Sequence, residues 1–284
     1  MKNSKSTIHL IFFVLIGVLP FAAAFIYALL YSLGVIGVVN EGFTLSFWQT
    51  VFSSGEFLKS FGYSMAISAV SVALSVGLAL WLTLQFRKEL NRPFLSFMLY
   101  LPLAVPGVVS AFFTFQLFSK SGFFSRIAYQ MNWITEARQF PDLVNDQLAI
   151  GIILTFITVV LPFFVLLFLN VYRNEKVDQL EQLSASLGAN NKQTKWKVSL
   201  PILLKKTWTL IALYFIFLLG AYEIPLILGQ ESPQMLSVLV IREINQFDLT
   251  KISEGYVAAV TYTLLVSIAA IALFSNQKRT ANDF

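Results

Sequence analysis

The chain has no cysteine and a single histidine, His9, close to its N-terminus. Without thiols there is no disulfide and no thiolate metal site. Without a second histidine there is no histidine metal cluster and no catalytic dyad of that kind. Charge is also scarce: 12% of the 284 residues are Asp, Glu, Lys or Arg, about half the ~25% usual in soluble domains. So few charges cannot cover a water-facing surface, and lipid becomes the expected solvent. No Gly-x-x-x-x-Gly-Lys-Ser/Thr loop occurs, so the chain does not cradle ATP phosphates by that route. Internal repeats and low-complexity tracts are missing too. What is plentiful is apolar: 57% of residues are hydrophobic and 28 are Phe. The net charge of +5 does not imply nucleic acid as a partner, because basic residues beside membrane spans set topology.

A spanning helix needs about 20 mostly apolar residues. Six stretches qualify, at about 10–34, 61–85, 94–118, 147–171, 207–229 and 255–274. They predict an all-α membrane protein with six transmembrane helices, organised as one domain over residues 1–284. Lys2, Lys5 and Ala22-Ala23-Ala24 imitate a signal peptide. The apolar run continues through Phe25-Ile26-Tyr27-Ala28-Leu29-Leu30, however, and reads as an uncleaved first span. With the N-terminus inside, the inner segments carry 14 Lys and Arg and the outer segments 6. That bias places both termini and the 172–206 segment in the cytoplasm. The outer segments 35–58, 119–146 and 230–254 are long. Long structureless loops are uncommon, so short helices are expected there, available to contact something outside.

The inner segment 172–206 is the most informative. Asp178 is a candidate helix cap, with Glu181 near the positive end. Leu180, Leu183 and Leu187 recur at spacings of three and four and form one apolar stripe. Gly188 supplies the backbone freedom to leave the helix. Asn190 or Asn191 caps a second helix carrying Lys192, Lys195 and Lys197 around Trp196, and Pro201 is expected to close it. A helix this short is marginal in water, so the stripe needs a groove. The spacing of Gly188, Val198, Leu200 and Pro201, with Leu187-Gly188-Ala189, resembles the EAA loop of permease subunits in ATP-binding-cassette (ABC) importers. In that loop Glu-Ala-Ala is followed by three residues, Gly, nine residues, Ile or Val, one residue and Leu-Pro. The opening departs from it: Gln182, Leu183 and Ser184 stand where Glu, Ala and Ala are usual. Glu181 is one position early and points about 100° away around the helix.

The resemblance implies a type I ABC importer permease fold. It also implies that Gln182, Leu183, Ser184, Leu187, Gly188, Ala189, Leu200 and Pro201 couple the chain to a cytoplasmic ABC ATPase dimer. ATP and Mg would be bound by that partner, leaving this chain no cofactor, no metal and no catalytic residue. Gln182 would make a weaker, less salt-sensitive link to the ATPase than the usual Glu.

The third and fifth stretches carry prolines: Pro102 and Pro106, one turn apart, and Pro225. Proline bends a spanning helix and is tolerated where neighbours or a water-lined cavity re-satisfy the backbone. Glu223 is the only acidic residue within the six stretches. An ionised side chain at the bilayer centre costs about 2.5–3.5 kcal/mol, so Glu223 should face a bundle interior or a wet cavity. Glu223, Pro225, Pro102 and Pro106 are therefore candidates for lining a translocation path. The plainer alternatives are packing kinks and a carboxylate at the outer interface. Asn170, Ser64, Thr155 and Gln116 are expected to hydrogen-bond between helices.

Residues 220–229, with Pro233, Leu236 and Leu101-Pro102-Leu103-Ala104-Val105-Pro106-Gly107, resemble the polyamine, thiamine and ferric-iron branch of these permeases. The spermidine/putrescine-type first subunit is the nearest likeness. This implies polyamine transport, with ferric iron, thiamine or another small solute as alternatives. It also implies a second permease subunit, identical or related, and a periplasmic or extracellular substrate-binding protein docking on the outer loops. The setting would be a bacterial or archaeal plasma membrane. An ion-coupled secondary transporter would need ion-coordinating carboxylates or broken helices in matching halves. One intramembrane carboxylate and no repeat do not supply them.

Overall fold

The computed structural model describes residues 9–40 and 42–281. Among the described residues every regular element is helical. In chain order they are α1 (His9–Ser32), α2 (Ser46–Ser54), α3 (Glu56–Leu90), α4 (Pro93–Ala104), α5 (Gly107–Phe118), α6 (Phe123–Gln130), α7 (Ile150–Asn174), α8 (Val177–Ser186), α9 (Asn191–Leu219), α10 (Glu223–Leu228), α11 (Leu236–Ile244) and α12 (Leu249–Ala281). Five helices (α1, α3, α7, α9 and α12) are long and apolar enough to cross a membrane, or up to six if the bent pair of α4 with Gly107–Gln130 is one span. Phe12, Phe13, Phe21, Phe112, Phe217 and Ile271 point outward. Facing water, such a surface would be a sticky patch; facing lipid tails, which are as apolar as Leu, it is an ordinary exterior.

The chain divides into two compact units, Met1–Phe61 with Leu236–Phe284, and Gly62–Met235. In the first, α12 packs against α1, α2 and α11 over a core of Phe47, Val51, Phe57, Leu236, Leu239 and Val257. The stretch around Phe47 is amphipathic: α2 buries Phe47 and Val51, and Phe43, three residues before the helix, is exposed. Tyr31 stacks on Tyr256 with centroids 4.4 Å apart. Arg242 donates to Glu56 at 2.6 Å and to Glu243 at 2.9 Å. Burial pulls its pKa down, but those two hydrogen bonds outweigh it and the guanidinium ends above its usual value. Asp248 lies one residue ahead of α12 and accepts from the Thr250 hydroxyl and backbone N–H. These bonds hold its carboxyl below the usual range.

In the second unit α7 is the spine. Helices α4, α5, α8, α9 and α10 all pack on it. It contributes Ile152, Phe156, Val160, Phe164, Val165 and Phe168 to the core, all almost wholly buried. Phe164 meets Phe163, Phe168 and Tyr214 with centroids 5.1–6.0 Å apart. Lipid offers no hydrophobic drive for helix association, so packing carries this core. Phe164→Ala leaves a void of roughly 100 Å³, worth about 2 kcal/mol at ~24 cal/mol per Å³. Thermal unfolding of the purified permease in detergent should show that loss. Thr155 links two helices, donating to Thr114 at 2.8 Å. Asn170, by contrast, accepts from Asn174 on its own helix.

The long segments 35–58, 119–146 and 230–254 hold short helices, α2, α6 and α11, as their length suggested. Two of the six expected stretches are interrupted. The third breaks at Val105, which is extended (φ −89°, ψ 125°), and the two halves meet at 98°. Residues before proline avoid the helical region, and Gly107 follows Pro106, so the break falls there. Pro102 stays inside α4. The fifth stretch ends at Leu219 and restarts at Glu223. Pro225 offers no N–H and would clash with the carbonyl one turn back. The chain therefore leaves the helix at Gly220 and restarts with Pro225 in its first turn. Glu223 is thus not in the body of a spanning helix, where the sequence placed it, but at the start of a six-residue helix.

Two more prolines correct simple expectation. Pro162 lies buried inside α7 without breaking it. Pro201 was expected to close the helix after Asn190, yet α9 continues through it to Leu219. The preceding turn, Lys195–Ser199, is a π-helix in which Leu200 N–H reaches back to Lys195 O. That widened turn shifts the carbonyls the proline ring would otherwise strike.

Candidate functional site

The segment from Val177 to Pro201 forms a tight helical corner within the second unit. Helix α8 ends in a Schellman motif: Ala189 N–H bonds Ser184 O at 3.1 Å and Gly188 N–H bonds Ala185 O at 3.0 Å. Gly188 has φ +88°, which an L side chain would strain. Asn190 then starts α9 with a capping box: its side chain accepts from Gln193 N–H at 2.8 Å, and Gln193 accepts from Asn190 N–H at 3.0 Å. Ser184 and Thr194 hydroxyls meet at 3.1 Å across the corner. The corner is therefore shaped by local hydrogen bonds before anything docks on it.

Its outer face is apolar and bare. Leu183 is 58% exposed, Leu187 81% and Trp196 65%. Gln182 and Ala185 are exposed beside them. Leu200 lines a groove of about 400 Å³ with Trp81, Leu84, Gln85, Lys195 and Trp196, and Lys195 donates to Gln85 at 3.0 Å.

The inner face is polar and tied down. Asp178 does not cap α8. Lys176, in the left-handed region (φ 50°), is the cap residue, and Asp178 accepts from Arg87 at 2.9 Å and Tyr172 at 3.3 Å. Glu181 accepts from Arg87 at 3.2 Å and from Ser199 at 2.6 Å. Sequence reasoning counted Arg87 only as a topology charge and set Glu181 aside as out of register. The one signal it held was an acidic residue a single place from the motif's usual Glu.

The second candidate group lies elsewhere in the same unit. From Leu200 to Leu219 the helix runs 20 residues, about 30 Å, between the corner and the break. There α5 and α10 pack together. A Cβ on Gly107 would sit 3.5 Å from Glu223 Oε2 and 3.5 Å from Ile224 Cδ1. The break at Pro106 thus faces the break before Pro225, with an exposed carboxylate between them. Pro225 itself is buried, and Pro102 stands one turn back on α4. Among the described residues no group of three or more His, Asp or Glu is placed to hold a metal ion.

An all-helical fold with several spanning-length helices is that of a multi-pass membrane protein. The chain belongs to the family described as "Binding-protein-dependent transport system inner membrane component", whose model matches residues 71–281. It is 26% identical over 225 residues to the "Probable sulfate transport system permease protein cysT" of Marchantia polymorpha, covering 76% of this chain and 74% of that one. It is 24% identical over 282 residues to the "Sulfate transport system permease protein CysT" of Synechocystis sp., covering 97% and 90%. Its fold matches a chain of a bacterial ABC transporter that imports the acidic polysaccharide alginate, with TM-score 0.71, 14% identity and coverage of 95% and 92%. The same holds for a bacterial alginate ABC transporter in complex with its pentasaccharide-bound periplasmic protein: TM-score 0.72, 16% identity, coverage 97% and 93%.

The chain is accordingly an inner-membrane permease subunit, and ATP hydrolysis and solute capture belong to a separate ATPase and a binding protein. None of these relatives is a polyamine system, so the spermidine/putrescine-type branch gains no support from them.

Proposed function

We propose that the Val177–Pro201 corner is the handle by which a cytoplasmic ABC ATPase dimer moves this permease. Gln182, Leu183, Ser184, Leu187, Gly188, Ala189, Leu200 and Pro201 shape or face the docking surface. One observation carries the reading: an apolar stripe stands open to solvent on a corner already rigid on its own. An exposed Leu stripe beside a preformed turn is an anchor set lacking its groove. Both chain termini then lie in the cytoplasm. Residues 1–284 work as one permease domain, which pairs with a second permease subunit, identical or related, to enclose the path. The facing breaks at Pro106 and before Pro225, with Glu223 between them and Pro102 one turn back on α4, line that path.

The cargo is a small solute. A sulfate-like oxyanion is the first to test, because the curated relatives carry that name. A cationic solute such as a polyamine is the second reading, favoured by the exposed Glu223 carboxylate at the break. The cysteine-free sequence makes the docking test clean. Leu187→Cys introduces a single thiol, to be alkylated with a membrane-impermeant maleimide in inside-out and right-side-out vesicles. It should react from the cytoplasmic side only, and at least about tenfold more slowly once the ATPase is bound. Reaction from the outer side, or equal rates with and without the ATPase, refutes the reading.

A further inference from the structure

We propose that Arg87 is the joint fastening the docking helix α8 to α3 and α7, and so a positioning residue for coupling. The inference rests on the docking reading above. Helix α3 is broken at Phe86 (φ −121°, ψ 21°), whose ring meets Trp81 edge-on with centroids 5.5 Å apart. Arg87 is the first residue beyond that break. Its Nη2 lies 2.9 Å from Asp178 Oδ1 and 3.2 Å from Glu181 Oε2. Its guanidinium carbon sits 4.5 Å over the Tyr172 ring, and Tyr172 O–H donates to Asp178. The other Glu181 oxygen takes the 2.6 Å bond from Ser199, which is fully buried. One arginine and one carboxylate thereby tie α3, α7, α8 and the start of α9 at a single point.

Exposed ion pairs contribute little. This one is different in kind: the Arg87 and Glu181 side chains are only 23% and 17% exposed, so water and salt screen them less. The guanidinium also meets two carboxylates and a ring together, with a planar, always-charged group that suits stacking and ion pairing at once. Two consequences follow. Glu181 is consumed inside the chain, so the grip on the ATPase is left to Leu183, Leu187 and their neighbours. And α8, ten residues long, is too short to hold its own place; without the joint it would shift alone when pulled, leaving the bent end of α3 behind.

The test uses the assembled importer with its ATPase subunits. Ala185→Cys on α8 and Lys88→Cys on α3 are nitroxide-labelled, and their distance is measured before and after adding ATP with vanadate. With Arg87 present the distance should be single and unmoved by nucleotide, because α8 and α3 travel together. In Arg87→Gln it should shift on nucleotide addition by about 5 Å, one helical turn, while the ATPase still co-purifies. Asp178→Asn with Glu181→Gln, which keeps Arg87 and removes the charge of both its partners, should release the same shift, which a residue serving only as filler would not do. An unmoved distance in Arg87→Gln overturns the proposal, as does a nucleotide-driven shift with Arg87 present. If Arg87→Gln fails to assemble, the Asp178→Asn with Glu181→Gln pair decides alone: movement supports the joint and invariance overturns it. If Leu183→Asp with Leu187→Asp still retains the ATPase, the docking reading itself has failed, whatever Arg87 does.

Discussion

Leu183→Asp with Leu187→Asp is expected to strip the ATPase from the permease while leaving the permease in the membrane. Leu183 lies on α8 and Leu187 directly follows it, both outside the long apolar helices, and they are 58% and 81% exposed. The substitutions therefore remove nothing from the core. Burying one Leu contributes about 1.5–3 kcal/mol, so losing two forfeits roughly 3–6 kcal/mol, and each 1.4 kcal/mol is tenfold in affinity. The two new carboxylates would also have to enter an apolar groove unpaired. Co-purification should fall by more than ~100-fold on these figures. Retention of the ATPase within a few-fold of the unaltered permease would show that docking lies elsewhere. Raised salt should weaken the native complex only slightly, because an apolar grip is not screened.

Glu223→Gln should change uptake in a direction set by the charge of the cargo. The carboxylate stands at the meeting of two helix breaks, with its Oε2 against Gly107. A unit charge passing about 5 Å away interacts with it by roughly 0.8 kcal/mol in water and about 3 kcal/mol at an effective dielectric of 20. Neutralising it should alter flux by at least about 4-fold to 100-fold, the figures for a single solute charge at ~1.4 kcal/mol per decade. Radiolabelled sulfate uptake should rise in the variant, because a repulsion is removed. Spermidine uptake should fall, because an attraction is lost. The permease should assemble normally in either case, since Glu223 is exposed. If a solute that the unaltered importer takes up does not respond while assembly is intact, Glu223 is a packing residue and the path runs elsewhere.

The helical corner was readable in the sequence because its rules are local. A glycine in the left-handed region ends α8, and an Asn with a Gln three residues on starts α9; both are short-range signals. The prolines were only partly readable. Pro106 and Pro225 interrupt the chain, whereas Pro162 and Pro201 do not. A proline's effect depends on whether the carbonyl one turn back can move, and the π-turn at Lys195–Ser199 that lets it move has no simple sequence mark. The Arg87 cluster was the least readable. Arg87 and Glu181 are 94 residues apart, and Glu181 and Ser199 are 18 apart. Only the packing of α3, α8 and α9 brings them together, and Arg87 was already accounted for as an inward-pointing topology charge. Orientation counts and tertiary contacts draw on the same basic residues, so one reading hid the other.

Because Pro201 does not end it, α9 is one rod of 29 residues, about 44 Å from end to end. That exceeds the ~30 Å of hydrocarbon it crosses, so roughly 14 Å must project beyond the bilayer core. Residues 191–200 belong to the proposed docking corner, so the excess lies at that end. A pivot near the bilayer midplane leaves arms of about 29 Å and about 15 Å, and a tilt of about 10° sweeps the Asn191 tip by about 5 Å and the Leu219 tip by about 3 Å. A swing at the Asn191 end is thereby delivered at the Leu219 end with reversed direction and about half the amplitude. The side of the membrane that opens is then opposite to the side that is pushed.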